Sequence, residues 1–160
     1  MRLLKSRWLS GLLGLASMVA LLLVATAACS QSGNAAAPTA TPQTTIKVSM
    51  LIQSSPTDAK WFRNVEVAKG TNAYELTEKV TQGNLKANYY PAYRSHFVDA
   101  MLGVANKGAN YWLIYLWNES DKKWESLPVG ADLYSLKDGH VLAWYYTDTS
   151  KQGDLPTSTP

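Results

Sequence analysis

Residues 111–117 read YWLIYLW, seven bulky apolar residues in a row. Aromatic and branched side chains suit a pleated, half-buried or buried surface, so the stretch is read as a strand. Side chains alternate in direction along a strand. Tyr111, Tyr115 and Trp117 therefore point one way, and Trp112, Ile114 and Leu116 the other. Both faces of this strand are apolar, so both must be covered or one must remain as an exposed patch. A second stretch of the same kind follows an Asp138-Gly139 turn: VLAWYY, residues 141–146. A sheet with two apolar faces is the central expectation for the fold.

The remaining elements are placed around that pair of strands. Ile46, Val48, Met50 and Ile52 alternate with Lys47, Ser49 and Leu51, which predicts a strand. Residues 53–60 read as a loop containing SSPTD, and residues 61–67 as a second strand paired to the first in a hairpin. Lys69-Gly70 breaks it. Asn72 followed three residues later by Glu75 is a capping-box start for a helix. Ala73, Leu76 and Val80 share its apolar face, and Gly83 stands where a stop is expected. A Tyr-rich loop (residues 88–93), a weakly alternating stretch (residues 97–104) and an NKGAN turn lead into YWLIYLW. The fold class is α+β, a β-grasp-like small mixed sheet with one covering helix. One helix cannot cover both faces.

The chain outside this domain is compositionally different. Residues 1–28 open with Arg2, Lys5 and Arg7, run without charge from Leu9, and close on small residues before Cys29. That pattern is a secretory signal. TAAC (Thr26, Ala27, Ala28, Cys29) resembles the bacterial lipobox, which implies lipidation of Cys29 after cleavage and a membrane anchor. Thr26 departs from the aliphatic residue usual at that position. An uncleaved transmembrane anchor is the alternative, since about 20 apolar residues span a bilayer. Residues 29–45 form the lipidated cysteine and a spacer of small, polar and proline residues, expected to be disordered. Such a spacer reaches about 20–25 Å. Residues 148–160 have the same composition and are expected to be a disordered tail. The domain proper is residues 46–147, an ordinary size for one core, and it carries no evident internal repeat.

Charge and cysteine content narrow the function. The chain has 15 basic and 12 acidic residues, and the three basic ones of the signal leave a balance of 12 against 12. A neutral domain has no electrostatic footprint for nucleic acid. Cys29 is the only cysteine, so no internal disulfide forms. His96 and His140 stand in no metal-ligand spacing, and His96 and Asp99 fall on opposite faces of a strand. No phosphate loop, nucleophile elbow or reactive cysteine is present. Asp132 and Asp138 read as loop and turn residues. These features point away from an enzyme and from a resident cofactor, and toward a binding module.

YWLIYLW and LPVGADLYSLKDGHVLAWYY (residues 127–146) together resemble the C-terminal domain of the transcobalamin and intrinsic-factor family, which has bacterial relatives of unknown function. Gly130, Tyr134, Leu136, Lys137, Asp138 and Gly139 carry the hairpin part of the resemblance. VAKGTNAYEL (residues 67–76) and FVDAMLGVAN (residues 97–106) carry the rest. The sequence departs at Met101, Leu102 and Gly103, where relatives show Ile-Asn-Gly, and at His140, where an acidic residue is common. The resemblance implies a corrinoid as bound ligand, facing Tyr111, Trp112 and Leu113 and the hairpin Leu127, Pro128, Val129, Gly130 and Ala131. The vertebrate carriers add a helical toroid that a domain of this size lacks, so a partner protein would complete the site. A protein-interaction or envelope-associated structural module without a small ligand is the alternative, and a cell-wall partner a third. A concave pocket beside Trp112 separates the first reading from the others.

Overall fold

The computed structural model describes residues 43–151 and 153–160. The signal, Cys29 and the spacer up to residue 42 lie outside the described residues. The first element is a long antiparallel hairpin, β1 (Thr45–Ser55) and β2 (Asp58–Ala68). The loop expected over residues 53–60 is shorter than the sequence suggested. Both strands run to a tight turn at Pro56-Thr57, because the Ser55 hydroxyl accepts from the Asp58 N–H at 3.0 Å and closes it locally.

Helix α1 (Ala73–Thr81) follows. Asn72 Oδ1 accepts the Glu75 N–H at 2.9 Å, and the Glu75 carboxylate accepts the Asn72 N–H at 2.9 Å. The capping box thus satisfies orphan donors at both positions. The helix stops one residue before the expected glycine: Gln82 itself turns left-handed (φ 50°), and Gly83 continues the turn at φ 85°.

A small sheet comes next, built from β3 (Leu85–Tyr90), β4 (Ser95–Met101) and β5 (Val104–Ala105). The first half of the expected Tyr-rich loop is in fact β3, paired to β4 from Leu85↔Met101 to Tyr90↔Ser95. Then come β6 (Asn110–Asn118), β7 (Lys123–Ser126), a 3-10 turn (Ala131–Leu133) and β8 (Val141–Asp148).

The main sheet has the order β2-β1-β8-β6-β7, with β1 and β8 parallel at its centre and the other pairs antiparallel. This is the β-grasp arrangement. Its two faces are both apolar, as the alternation in β6 and β8 requires. On the first face Val48, Met50, Ile52, Trp112, Leu142 and Trp144 pack beneath Ala73, Leu76 and Val80 of the helix. The buried polar atoms there are paired: Trp144 Nε1 donates to Thr77 Oγ1 at 2.8 Å, and Trp112 Nε1 to the Val104 carbonyl at 3.0 Å.

On the second face Leu51, Tyr115, Trp124, Ala143 and Tyr145 form a separate cluster, flanked by Trp61, Trp117 and Val141. The segment expected to be a disordered tail covers it. Pro156 is buried. Gln53, itself fully buried, accepts the Thr157 N–H at 3.0 Å and donates to the Thr157 hydroxyl at 2.5 Å. Trp124 Nε1 donates to the Ser158 carbonyl at 2.9 Å, and the Tyr115 hydroxyl to the Asp154 carbonyl at 3.2 Å. The composition argument failed here because it weighs only what a segment buries of itself. A segment with no apolar periodicity is still fixed when a preformed surface offers polar partners for its backbone.

Candidate functional site

The aromatic strand is used for packing. Trp112 and Tyr115 are each 3% exposed, on opposite faces of the sheet, and Tyr111 and Trp117 are half-buried. Trp112, expected to face a ligand, stacks at a tilt on Tyr146 with ring centroids 5.3 Å apart in the helix-side core. Ala131 is equally buried, and Leu127 packs half-buried against the same core. Leu113 is exposed on the other side of the strand from Trp112, and Pro128 is exposed. A concavity of ≈ 430 Å³ does adjoin Trp112, with a mixed lining: Ser54, Asp58, Lys60 and Asn84 on the polar side, Ile52, Met101, Leu102 and Val104 on the apolar side. The eight residues named from the sequence therefore do not converge on one surface. Trp112, Leu127 and Ala131 turn into the helix-side core, while Leu113, Pro128 and Val129 face solvent.

Two of them border a different cavity. Gly130 lines a cleft of ≈ 450 Å³ together with Tyr90, Tyr93, Ser95, His96 and Phe97. Tyr111 meets Phe97 edge-on at 6.0 Å, at the margin of the same surface. Among the described residues the exposed rings collect here: Tyr93 is 75% exposed, and Tyr89, Tyr90 and Phe97 are exposed beside it. Val129 and Leu133 add exposed aliphatic surface from the loop opposite. The cleft is thus a mostly apolar concavity with a few polar groups, the general form of a small-ligand site.

One clamp sets its shape. The β3–β4 hairpin forms one wall, and the loop from β7 to the 3-10 turn forms the other. Asp132 joins them, accepting the Ser95 hydroxyl at 2.9 Å and the His96 N–H at 2.8 Å, with His96 Nδ1 at 2.7 Å from its other oxygen. Burial pushes the Asp132 carboxyl up, but the hydrogen bonds from His96 and Ser95 outweigh it and hold the group below the usual aspartate range. His96 is fixed from both sides as well. Its ring lies parallel to Tyr74 at 3.9 Å, and Tyr89 tilts against it at 5.1 Å. Burial and the Glu78 carboxylate push the Tyr74 phenol up to about 12, so it stays neutral through the physiological range.

Gly130 permits the close approach. A Cβ placed there would stand 2.3 Å from the Ser95 hydroxyl oxygen, well inside contact distance. Its place in the G-x-x-x-Y-x-L-K-D-G stretch therefore has a steric reason. The hairpin expected here is instead a loop with a 3-10 turn, since β7 and β8 each pair with β6 and not with each other. Asp138, in the same stretch, accepts the Lys47 N–H at 2.7 Å and ties the turn before β8 to β1. Sequence reasoning left Tyr90, Tyr93, His96 and Phe97 out of the site. Tyr density over residues 88–93 was the signal for the first two. Nothing local marked His96, whose partner Asp132 is 36 residues away. Among the described residues no group of three metal-ligating side chains comes together.

No protein-family model matches the sequence, and no curated protein matches it. Solved structures do share its fold. Haptocorrin, crystallised in complex with Cbi, is 18% identical with a TM-score of 0.55, over 66% of this chain and 26% of that one. A candidate metal binding protein from Ruminococcus gnavus ATCC 29149 is 12% identical with a TM-score of 0.51, over 64% of this chain and 97% of that one. This chain thus spans about a quarter of the haptocorrin structure and nearly all of the bacterial one. At these identities the likeness is one of fold, and it agrees with the transcobalamin-like fold that the hairpin and the Tyr-Trp strand imply.

Proposed function

We propose that this protein is a non-enzymatic binding module, held at the outer side of a membrane by lipid on Cys29, whose ligand seats in the Tyr90–Tyr93–Phe97–Gly130 cleft. A corrinoid is the first candidate ligand. The observation that carries the reading is the cleft itself: three exposed aromatic rings, Tyr90, Tyr93 and Phe97, line a concavity whose two walls are locked by Asp132. Walls fixed before binding need little rearrangement on contact, and exposed rings along them favour a large, flat, weakly charged partner. The corrinoid is suggested by the resemblance in sequence and by the haptocorrin structure with Cbi. A cleft of ≈ 450 Å³ is smaller than a corrin ring with its side chains, so the reading includes a partner protein covering the other side. The mixed concavity near Trp112 has only that buried ring in its lining and no exposed one, so it comes second.

The test is calorimetric titration of the full chain in detergent with cobalamin and with a corrinoid lacking the lower ligand. Saturable binding that weakens at least about tenfold, some 1.4 kcal/mol, in Tyr93→Ala supports the reading, because a side chain this exposed is removed without disturbing the core. Absence of heat together with absence of retention in equilibrium dialysis excludes a self-sufficient corrinoid site. The exposed rings then become a docking surface for another protein.

A further inference from the structure

The groove on the second face of the main sheet is a built site with an occupant. Its floor is Leu51, Tyr115, Trp124 and Tyr145, and its polar centre is the fully buried Gln53. The occupant is residues 153–160, and its contacts are specific. Pro156 is buried. Thr157 uses its N–H and its hydroxyl, both on the Gln53 amide. Ser158 uses its N–H on Gln53 Oε1 and its carbonyl on Trp124 Nε1, and its side chain makes no hydrogen bond among the described residues. Upstream, Asp154 contributes its carbonyl to Tyr115 and its carboxylate to Thr147.

The sequence contains this segment nearly twice. Residues 156–160 read PTSTP, and residues 38–42 read PTATP. The single difference, Ser158 against Ala40, falls at the position whose side chain the groove does not read. The threonine whose hydroxyl meets Gln53 is kept as Thr39. Upstream, residues 36–42 have Ala36 and Ala37 where the tail has Asp154 and Leu155, so they lack the carboxylate that meets Thr147 and one exposed leucine side chain.

We propose that the Gln53–Trp124 groove is a recognition site for extended P-T-x-T-P segments, and that residues 38–42 of a second copy of this chain are its occupant in trans. The chain's own residues 38–42 cannot serve. Thr44 still runs along the strand, its carbonyl bonded to the Lys69 N–H at 2.9 Å. Gln53 lies nine residues further on, about 30 Å away along an extended strand. Five residues from Thr39 to Thr44 span at most about 18 Å. In the intact chain residues 153–160 hold the groove, because a short tether keeps their effective concentration in the millimolar range. Their displacement opens it, and the link that follows is heterologous: the segment of one copy enters the groove of the next, so the assembly grows in a line rather than closing as a symmetric dimer.

The test follows tryptophan fluorescence of the full chain in detergent while the peptide AAPTATP (residues 36–42) is added. A chain shortened to end at Lys151 should bind the peptide saturably and at least about tenfold more tightly than the intact chain does. A peptide with Val in place of Thr39 should bind about fivefold more weakly, having lost the hydroxyl that meets Gln53. A peptide with Ser in place of Ala40 should bind equally well. Should the shortened chain unfold, Thr157→Pro in the intact chain removes the N–H given to Gln53 while keeping the segment attached, and the same titration applies. The proposal is overturned if a scrambled peptide of the same composition binds as well. It is equally overturned if a peptide of residues 154–160 binds the opened groove and AAPTATP does not.

Discussion

The two faces of the main sheet are built from the same strands and covered by opposite means. On the first, a nine-residue helix lays Ala73, Leu76 and Val80 onto Met50, Leu142 and Trp144, apolar against apolar. On the second, an irregular segment lies across Leu51, Tyr115, Trp124 and Tyr145, and the bonds that position it run to Gln53, Trp124, Tyr115 and Thr147. The helix satisfies its own backbone and needs only an apolar stripe. An extended segment has every N–H and C=O unpaired, so its cover must supply partners. That is why a fully buried glutamine stands in the middle of one face and none in the other. Period-two alternation guarantees two faces; it does not dictate that they be closed alike.

The comparison is broken most severely from the helix side. Leu76 is fully buried in the first cluster. Leu76→Ala should destabilise by about 2–5 kcal/mol, the range for removing a core leucine from a site that cannot collapse. The denaturation midpoint reads it. Truncation at Lys151 should cost less, about 1–3 kcal/mol, chiefly because Gln53 loses its bonds to Thr157 and Ser158, keeping only the Ser55 carbonyl, while Trp124 and Tyr145 become wet. A truncation as damaging as Leu76→Ala would mean that the second cover is as much a part of the fold as the helix is. A truncation without effect would mean that Gln53 finds water as readily as it finds Thr157.

What the sequence made legible follows the same division. The hairpin of β1 and β2, the capped helix and the two aromatic strands all announce themselves through local periodicity or a local cap, and Asn72 with Glu75 names the helix start outright. The cover of the second face does not, since Gln53 and Thr157 are 104 residues apart and neither is unusual alone. The candidate site was half legible. Gly130 was singled out by the hairpin motif and does border the cleft. Trp112 was placed at the ligand by the resemblance and is core, because the pattern of a strand does not say which of its faces meets solvent. The Ser95–His96–Asp132 clamp depends on the packing of the small sheet against the 3-10 turn, and no spacing in the chain encodes that.

A smaller effect sharpens the description of the helix as a self-contained cover. Asn72→Ala removes the side-chain acceptor of the Glu75 N–H and should cost about 1 kcal/mol. Hydrogen exchange should quicken in the first turn of α1, with β6 and β8 unaffected. Exchange that quickens in the strands as well would show that the helix and the sheet open as one unit.

The smallest effect concerns the clamp by which the helix side reaches the cleft, through Tyr74 stacked on His96 and His96 bonded to Asp132. The folded state holds the Asp132 carboxyl below its ordinary value of 3.8. A carboxylate depressed by folding adds stability above its unfolded pKa and loses it as pH falls through the folded one. The contribution of Asp132 is therefore present at neutral pH and declines below about pH 4. Asp132→Asn keeps the size of the side chain, and its amide oxygen can still accept from Ser95 and the His96 N–H while its N–H₂ faces the neutral His96 ring, so what it removes is the negative charge. The wild type should exceed this variant in stability at pH 6, and the difference should shrink as the pH is taken below 4. A difference that stays constant across that range would assign the clamp to shape and packing around Gly130 and Tyr74, with the charge on Asp132 incidental.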